Sequence, residues 1–187
     1  MEENKRQAML LHRAFALAAV AHEGQRRKGS DVPYIMHPCE VAQMLTAHGC
    51  RAEVVAAALL HDTLEDTSLP AGQIEADCGP EVLRLVQWCT EDKTKSWEER
   101  KQATIHKMEQ PGPLEAKWIT CADKCANLRS MAADHQQIGD RLWQRFSRGR
   151  EQQAWYYRQL ARAIAQLPDC PMVRETLAWT QELFGSV

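Results

Sequence analysis

The sequence predicts an all-α protein, and three observations carry that expectation. Apolar residues recur at helical spacing through most of the 187 residues. Gly and Pro punctuate this periodicity at intervals suited to helices of ordinary length. No segment reads as a strand by two-residue alternation of apolar and polar side chains.

A first helix is expected from about Lys5 to His22, stopped at Gly24, and a basic, turn-rich segment follows from Gln25 to Pro33. Because His37 precedes Pro38, it is expected to be extended, with Pro38 opening the second helix at its first position. That helix turns Val41, Met44 and Leu45 inward and ends near Gly49. A third helix covers Ala52 to about Glu65. Ser68 and Pro70 start a short fourth, and Gly79-Pro80 separates it from a fifth through Trp88. Ser96 followed by Glu99 fits a capping box, opening a helix that ends before Pro111. Leu114 to about Met131 forms another amphipathic stretch. A long helix from roughly Asp140 to Leu167 is expected to bend at Gly149, and Pro168 to Pro171 leads into a last helix ending at Phe184. With no internal repeat, low-complexity tract or linker, residues 1–187 are expected to form one compact domain.

Composition narrows the function. A net charge of −2 argues against a protein whose main task is holding nucleic acid, which calls for a basic surface. No continuous apolar run is long enough to span a bilayer, and the N-terminus lacks the plan of a secretion signal, so a cytoplasmic protein is expected. The cysteines number seven, an odd count, and contain no Cys-x-x-Cys pair, which disfavours a disulfide framework or a zinc knuckle. Cys121 and Cys125, four apart on a helix, are expected as small buried core residues rather than ligands.

The most informative stretch is His61-Asp62-Thr63-Leu64-Glu65-Asp66. It places one imidazole and three carboxylates at the end of an Ala-rich helix pattern. Residues four apart share a helix face, so His61 stacks over Glu65 and Asp62 over Asp66. Negative charge in a last helical turn opposes the helix dipole, and a bound cation would remove that conflict. Further ligands are needed. His37 stands at a stiffened helix entrance, and Asp123 lies in an otherwise apolar helix segment where a carboxylate needs a partner. Two imidazoles and two carboxylates suit Mn²⁺ or Fe²⁺, with Zn²⁺ or Mg²⁺ also compatible. The alternative is that His37 caps a helix while Asp123 pairs with Lys124 or Arg129.

Four segments in register resemble the HD-type hydrolase domain of the RelA/SpoT alarmone family. They are His22-Glu23-Gly24-Gln25-Arg26-Arg27-Lys28, Pro33-Tyr34-Ile35-Met36-His37-Pro38, Ala58 to Thr67, and Ala122-Asp123-Lys124-Cys125-Ala126-Asn127-Leu128-Arg129. The similarity runs from about Leu11 to Met131 and extends to Gly79-Pro80-Glu81-Val82, Thr90-Glu91-Asp92-Lys93-Thr94 and Glu99-Arg100-Lys101, stretches most like the small stand-alone hydrolases, including the metazoan SpoT homologues. The resemblance implies a compact multi-helix bundle holding a metal, commonly Mn²⁺, through His37, His61, Asp62 and Asp123. It implies that Glu65 and Asp66 assist the attacking water, that Asn127 helps position the nucleotide, that Arg27 packs on the base and that Lys28 faces the phosphates. Acidified water near a divalent ion can attack phosphorus at neutral pH, with a carboxylate accepting its proton. A planar guanidinium suits a purine face. Without the flanking motifs, the basic run would read as a solvated loop.

The reaction so implied is hydrolysis of the 3′-diphosphate of (p)ppGpp, releasing pyrophosphate and GDP or GTP, with synthesis excluded by length. Alternatives are an adenine counterpart, (p)ppApp, removal of the 2′-phosphate of NADPH, and a catalytically silent nucleotide sensor. Arg141, Arg145, Arg148 and Tyr156 are candidates to close over the substrate's 5′ side, although aromatic spacing such as that of Trp143, Phe146, Trp155, Tyr156 and Tyr157 more often marks a core.

Overall fold

The computed structural model describes residues 1–185 and is helical, with no strand among the described residues and one isolated bridge between Arg26 and Pro33. The all-α expectation holds. The chain forms two compact units, residues 1–92 with 113–122 and residues 93–112 with 123–187.

The first unit is built around a helix that has no polar face. Helices α1 (Glu2–Ala21), α2 (Met36–Ala47), α3 (Ala52–Leu60), α4 (Thr63–Asp66), α5 (Ala71–Cys78) and α6 (Pro80–Cys89) follow in order. In α3 only Glu53 escapes burial, and Ala56, Ala57 and Ala58 are wholly enclosed. A helix apolar all round must be covered on every side, and α3 packs against α1, α2 and α6. Ala14 and Ala18 of α1 are fully buried, and such small side chains let helix axes approach closely. Val41 and Leu45 of α2 and Val82, Leu85 and Val86 of α6 supply the larger groups.

Two expectations need correction here. His37 is not extended: α2 begins at Met36, so His37 is helical and Pro38 falls in the first turn, where its missing N–H costs no hydrogen bond. Nor does one helix run from Ala52 to Glu65. The chain breaks at His61-Asp62 and restarts as the single turn α4, with Asp62 as its cap residue. Glu65 and Asp66 therefore lie in the first turn of a new helix, and the dipole conflict inferred for a continuous helix does not arise.

The second unit holds α7 (Trp97–Glu109), residues 123–138 of α8 (Leu114–Ile138), a tight 3₁₀ segment (Gly139–Arg145), α9 (Gly149–Ile164) and α10 (Pro171–Phe184). The Ser96 capping box is present: its hydroxyl accepts from the Glu99 N–H at 3.2 Å, while its own N–H donates to Glu99 Oε2 at 2.8 Å. The long helix expected from Asp140 to Leu167 is broken rather than bent. Gly149 has φ 63°, which no right-handed helix interior accepts. Trp143, Tyr156 and Tyr157 are buried, and the Tyr157 and Phe184 rings stack 5.6 Å apart, so most of the aromatic segment is core.

Candidate metal centre

Two histidines and an aspartate converge. One ligand atom each from His37, His61 and Asp123 lies within 4.8 Å of the others, and all three residues are buried. The His37 and His61 rings are 5.2 Å apart between centroids, close enough to face one ion. Asp62 stands beside them, with Oδ2 at 3.2 Å from His61 Nε2 and 3.6 Å from His37 Nε2.

Local structure sets these directions. His61 closes α3, and its Nδ1 is 2.7 Å from the Ala58 carbonyl. A carbonyl only accepts, so Nδ1 carries the proton and the lone pair of the neutral ring sits on Nε2, the nitrogen nearest Asp62. Fixing one ring nitrogen against a backbone carbonyl is how metal-binding imidazoles are held. The break after Leu60 is satisfied by Thr63, whose hydroxyl donates to the Leu60 carbonyl at 2.7 Å. Asp62 is further held by the Tyr34 hydroxyl, which donates to Oδ2 at 2.6 Å. On α8, Asn127 donates to Asp123 Oδ1 at 2.6 Å, and Lys124 Nζ is 2.6 Å from Oδ2. The pairing with Lys124 is thus real alongside the clustering. Arg129 instead pairs with Glu175.

Glu65 and Asp66 differ in setting. Glu65 is half-buried and accepts a hydrogen bond from the Glu91 N–H at 3.2 Å, whereas Asp66 is exposed. Burial pushes the Glu65 carboxyl above the usual range, the Glu91 charge adds to this, the Glu91 N–H opposes it, and Asp66 and Asp62 contribute further repulsion. Its surroundings thus raise the proton affinity of Glu65, as is common for groups that take part in proton transfer.

The basic segment forms a closed hairpin-like loop. Arg27 N–H donates to the Val32 carbonyl at 2.8 Å, Tyr34 N–H donates to the Gln25 carbonyl at 2.9 Å, and the Arg27 guanidinium lies 5.7 Å from the Tyr34 ring centroid. Lys28 is exposed. Arg145 pairs with Asp134 and Arg148 with Glu98, while Arg141 donates to the Ile138 carbonyl. The sequence motifs by themselves assign no role to Tyr34, Gln25 or Glu91. The three-residue step from Tyr34 to His37, one turn apart, was the available signal for the first.

The donor set of two imidazoles with carboxylates, buried and held by neighbouring groups, fits a divalent cation. Fold and cluster together define a helical metal-binding protein. The sequence matches the HD domain family over residues 14–148. Human guanosine-3′,5′-bis(diphosphate) 3′-pyrophosphohydrolase MESH1 is 41% identical over 128 residues, 67% of this chain and 71% of that protein. The solved structure of a metazoan ortholog of SpoT that hydrolyses ppGpp and plays a role in starvation responses is similar with a TM-score of 0.80 and 27% identity, covering 95% of this chain and 97% of that one. The lmo0812 protein of Listeria monocytogenes EGD-e is similar with a TM-score of 0.75 and 38% identity, covering 80% of this chain and 99% of that one. The chain belongs to the HD-domain family, in the RelA/SpoT-type branch.

Proposed function

We propose that this protein hydrolyses the 3′-diphosphate of (p)ppGpp, releasing pyrophosphate and GDP or GTP, with residues 1–187 acting as one HD-type phosphohydrolase domain. The observation that carries the reading is the convergence of His37, His61 and Asp123 with Asp62 alongside. The likeness to human MESH1 and to the ppGpp-hydrolysing metazoan ortholog of SpoT supports the substrate.

His37, His61, Asp62 and Asp123 are the residues that would hold the ion, and Mn²⁺ suits their mixed nitrogen and oxygen donors. When bound, a divalent ion polarises a phosphoryl oxygen and makes water a better nucleophile. Glu65 orients the attacking water and takes its proton, a task helped by a carboxyl with raised proton affinity. Asp66 assists from the same turn. Arg27 packs on the base, Lys28 meets the phosphates, and Asn127, which already donates to Asp123, positions the nucleotide. The water oxygen bonds to the nucleoside-proximal phosphorus of the 3′-diphosphate as that phosphorus loses its bond to the 3′-oxygen, so both phosphoryl groups depart together as pyrophosphate and the 3′-oxygen takes up a proton to become the hydroxyl of GDP or GTP. Seven free cysteines fit a cytoplasmic setting.

The test is incubation of purified protein and Mn²⁺ with ppGpp, ppApp or NADPH, with pyrophosphate and orthophosphate measured separately. Pyrophosphate from ppGpp is the expected result. Pyrophosphate from ppApp alone reassigns the base, orthophosphate from NADPH alone reassigns the reaction, and no turnover despite bound metal indicates a nucleotide sensor.

A further inference from the structure

Tyr34 occupies a junction that neither the motif nor the proposed reaction explains. Its hydroxyl donates to Asp62 Oδ2 at 2.6 Å, a short contact in the range of hydrogen bonds to carboxylates. One part of its environment is the buried His22 ring at 4.8 Å between centroids, and another is His37, edge-on at 5.9 Å. The Arg27 guanidinium lies 5.7 Å from the same ring. The support beneath is itself built. Gln25 Nε2 donates to the Asp66 carbonyl at 3.0 Å, so its Oε1 accepts from His22 Nδ1 at 2.8 Å. Gln25 thereby ties His22, which caps α1, to the α4 turn. One aromatic side chain thus touches the carboxylate next to both imidazoles and the arginine of the basic loop.

We propose that Tyr34 is a positioning residue that ties the two halves of the site together, its hydroxyl fixing the Asp62 carboxylate toward the metal and its ring backing Arg27 for the nucleotide base. The proposal rests on the reading of Asp62 and Arg27 given above. The two parts of the side chain act on different quantities. A phenol hydrogen bond to a carboxylate restricts its rotation, so a ligand loses less freedom on binding the ion. A ring face under a guanidinium holds that plane by the attraction of a cation for a π-system. Losing the hydroxyl should therefore affect metal affinity, and losing the ring should affect nucleotide affinity.

The experiment compares wild type, Tyr34→Phe and Tyr34→Leu by Mn²⁺ titration without nucleotide, and by ppGpp binding in the Mn²⁺-loaded Glu65→Gln background. Tyr34→Phe should weaken Mn²⁺ binding about tenfold or more, the range found for groups that orient metal ligands, with ppGpp affinity at saturating Mn²⁺ unchanged. Tyr34→Leu should match it for Mn²⁺ and additionally weaken ppGpp about two- to fivefold, the size of an exposed cation–π contact. A Tyr34→Phe protein that binds Mn²⁺ like wild type overturns the hydroxyl's role, even if its melting temperature falls. Equal ppGpp affinity in the two variants overturns the ring's role. A Glu65→Gln protein with Tyr34 intact that binds Mn²⁺ but no ppGpp sinks the proposed reaction and the Arg27 half with it, while the nucleotide-free titration still judges the Asp62 half.

Discussion

At the scale of single residues, the site sets two carboxylates apart by their surroundings. Asp62 lies against two imidazole nitrogens and a tyrosine hydroxyl, whereas Glu65 is half-buried near Glu91 with its carboxyl pushed upward. Asp62→Ala is expected to abolish metal binding and turnover together. Glu65→Gln should keep the metal and lose most turnover, because an amide occupies the same space and still accepts from the Glu91 N–H. A raised folded-state pKa means that ionising Glu65 costs folding energy. The cost is absent below the ordinary glutamate value of about 4.3 and grows as pH rises through the folded value. Metal-free Glu65→Gln should therefore melt at or above wild type at pH 7, with the difference vanishing below about pH 4. Thermal melts across that range check it, and a variant less stable than wild type at pH 7 would contradict the placement of Glu65. The ligand candidates were legible because each is a polar side chain at an otherwise apolar or stiffened position. Glu91 was not, since its effect on Glu65 runs through a backbone N–H and a charge far along the chain, neither of which leaves a periodic trace.

At the scale of elements, the periodicity located the helices well and their breaks poorly. The break at His61-Asp62 cannot be read from apolar spacing, because both sides of it keep buried residues in helical register and the hydroxyl of Thr63 replaces a helix bond only in three dimensions. The helix expected to end at Met131 continues to Ile138 and stops before Gly139, whose φ of 58° ends a right-handed run. Local caps were plainer. Ser96→Ala removes one side of the reciprocal pair with Glu99 and should cost about 1 kcal/mol, seen as a melting temperature lower by roughly 2–4 °C. Arg51 makes a different kind of tie within the first unit, joining the start of α3 to Glu115 of α8 through two 2.6 Å contacts and to Glu81 of α6 at 2.6 Å. Hydrogen bonds from Arg84 first, and Arg51 second, hold the Glu81 carboxyl down to about 2. These groups are part-exposed, so solvent screens them, and Arg51→Ala should cost about 1 kcal/mol, less in high salt. Because Glu81 is depressed, its contribution is complete above its ordinary range and fades as pH falls toward about 2. Denaturant melts of Arg51→Ala in low and high salt check this: equal losses in both would rule out an electrostatic origin.

For the whole molecule, the consequence of the cluster is that metal and folding are linked. His37, His61, Asp62 and Asp123, the proposed ligands, come from three separated stretches of sequence, so an unfolded chain offers no prearranged set and an ion held by them would bind the folded form far better. Mass action then sets the gain: free Mn²⁺ at about 100 times its dissociation constant stabilises by about 2.7 kcal/mol. For a chain of this length that corresponds to a rise in melting temperature of roughly 5–10 °C, reversible with a chelator. Asp62→Ala, which removes a proposed ligand, should lose the Mn²⁺-dependent rise, while Ser96→Ala should keep it on a lowered baseline, since its cap lies outside the proposed ligand set. Ser96→Ala thereby separates general destabilisation from loss of the metal. A wild-type melt indifferent to Mn²⁺ would mean that the two imidazoles and the buried aspartate meet for packing alone, and the chemistry proposed for them would have no ion to begin from.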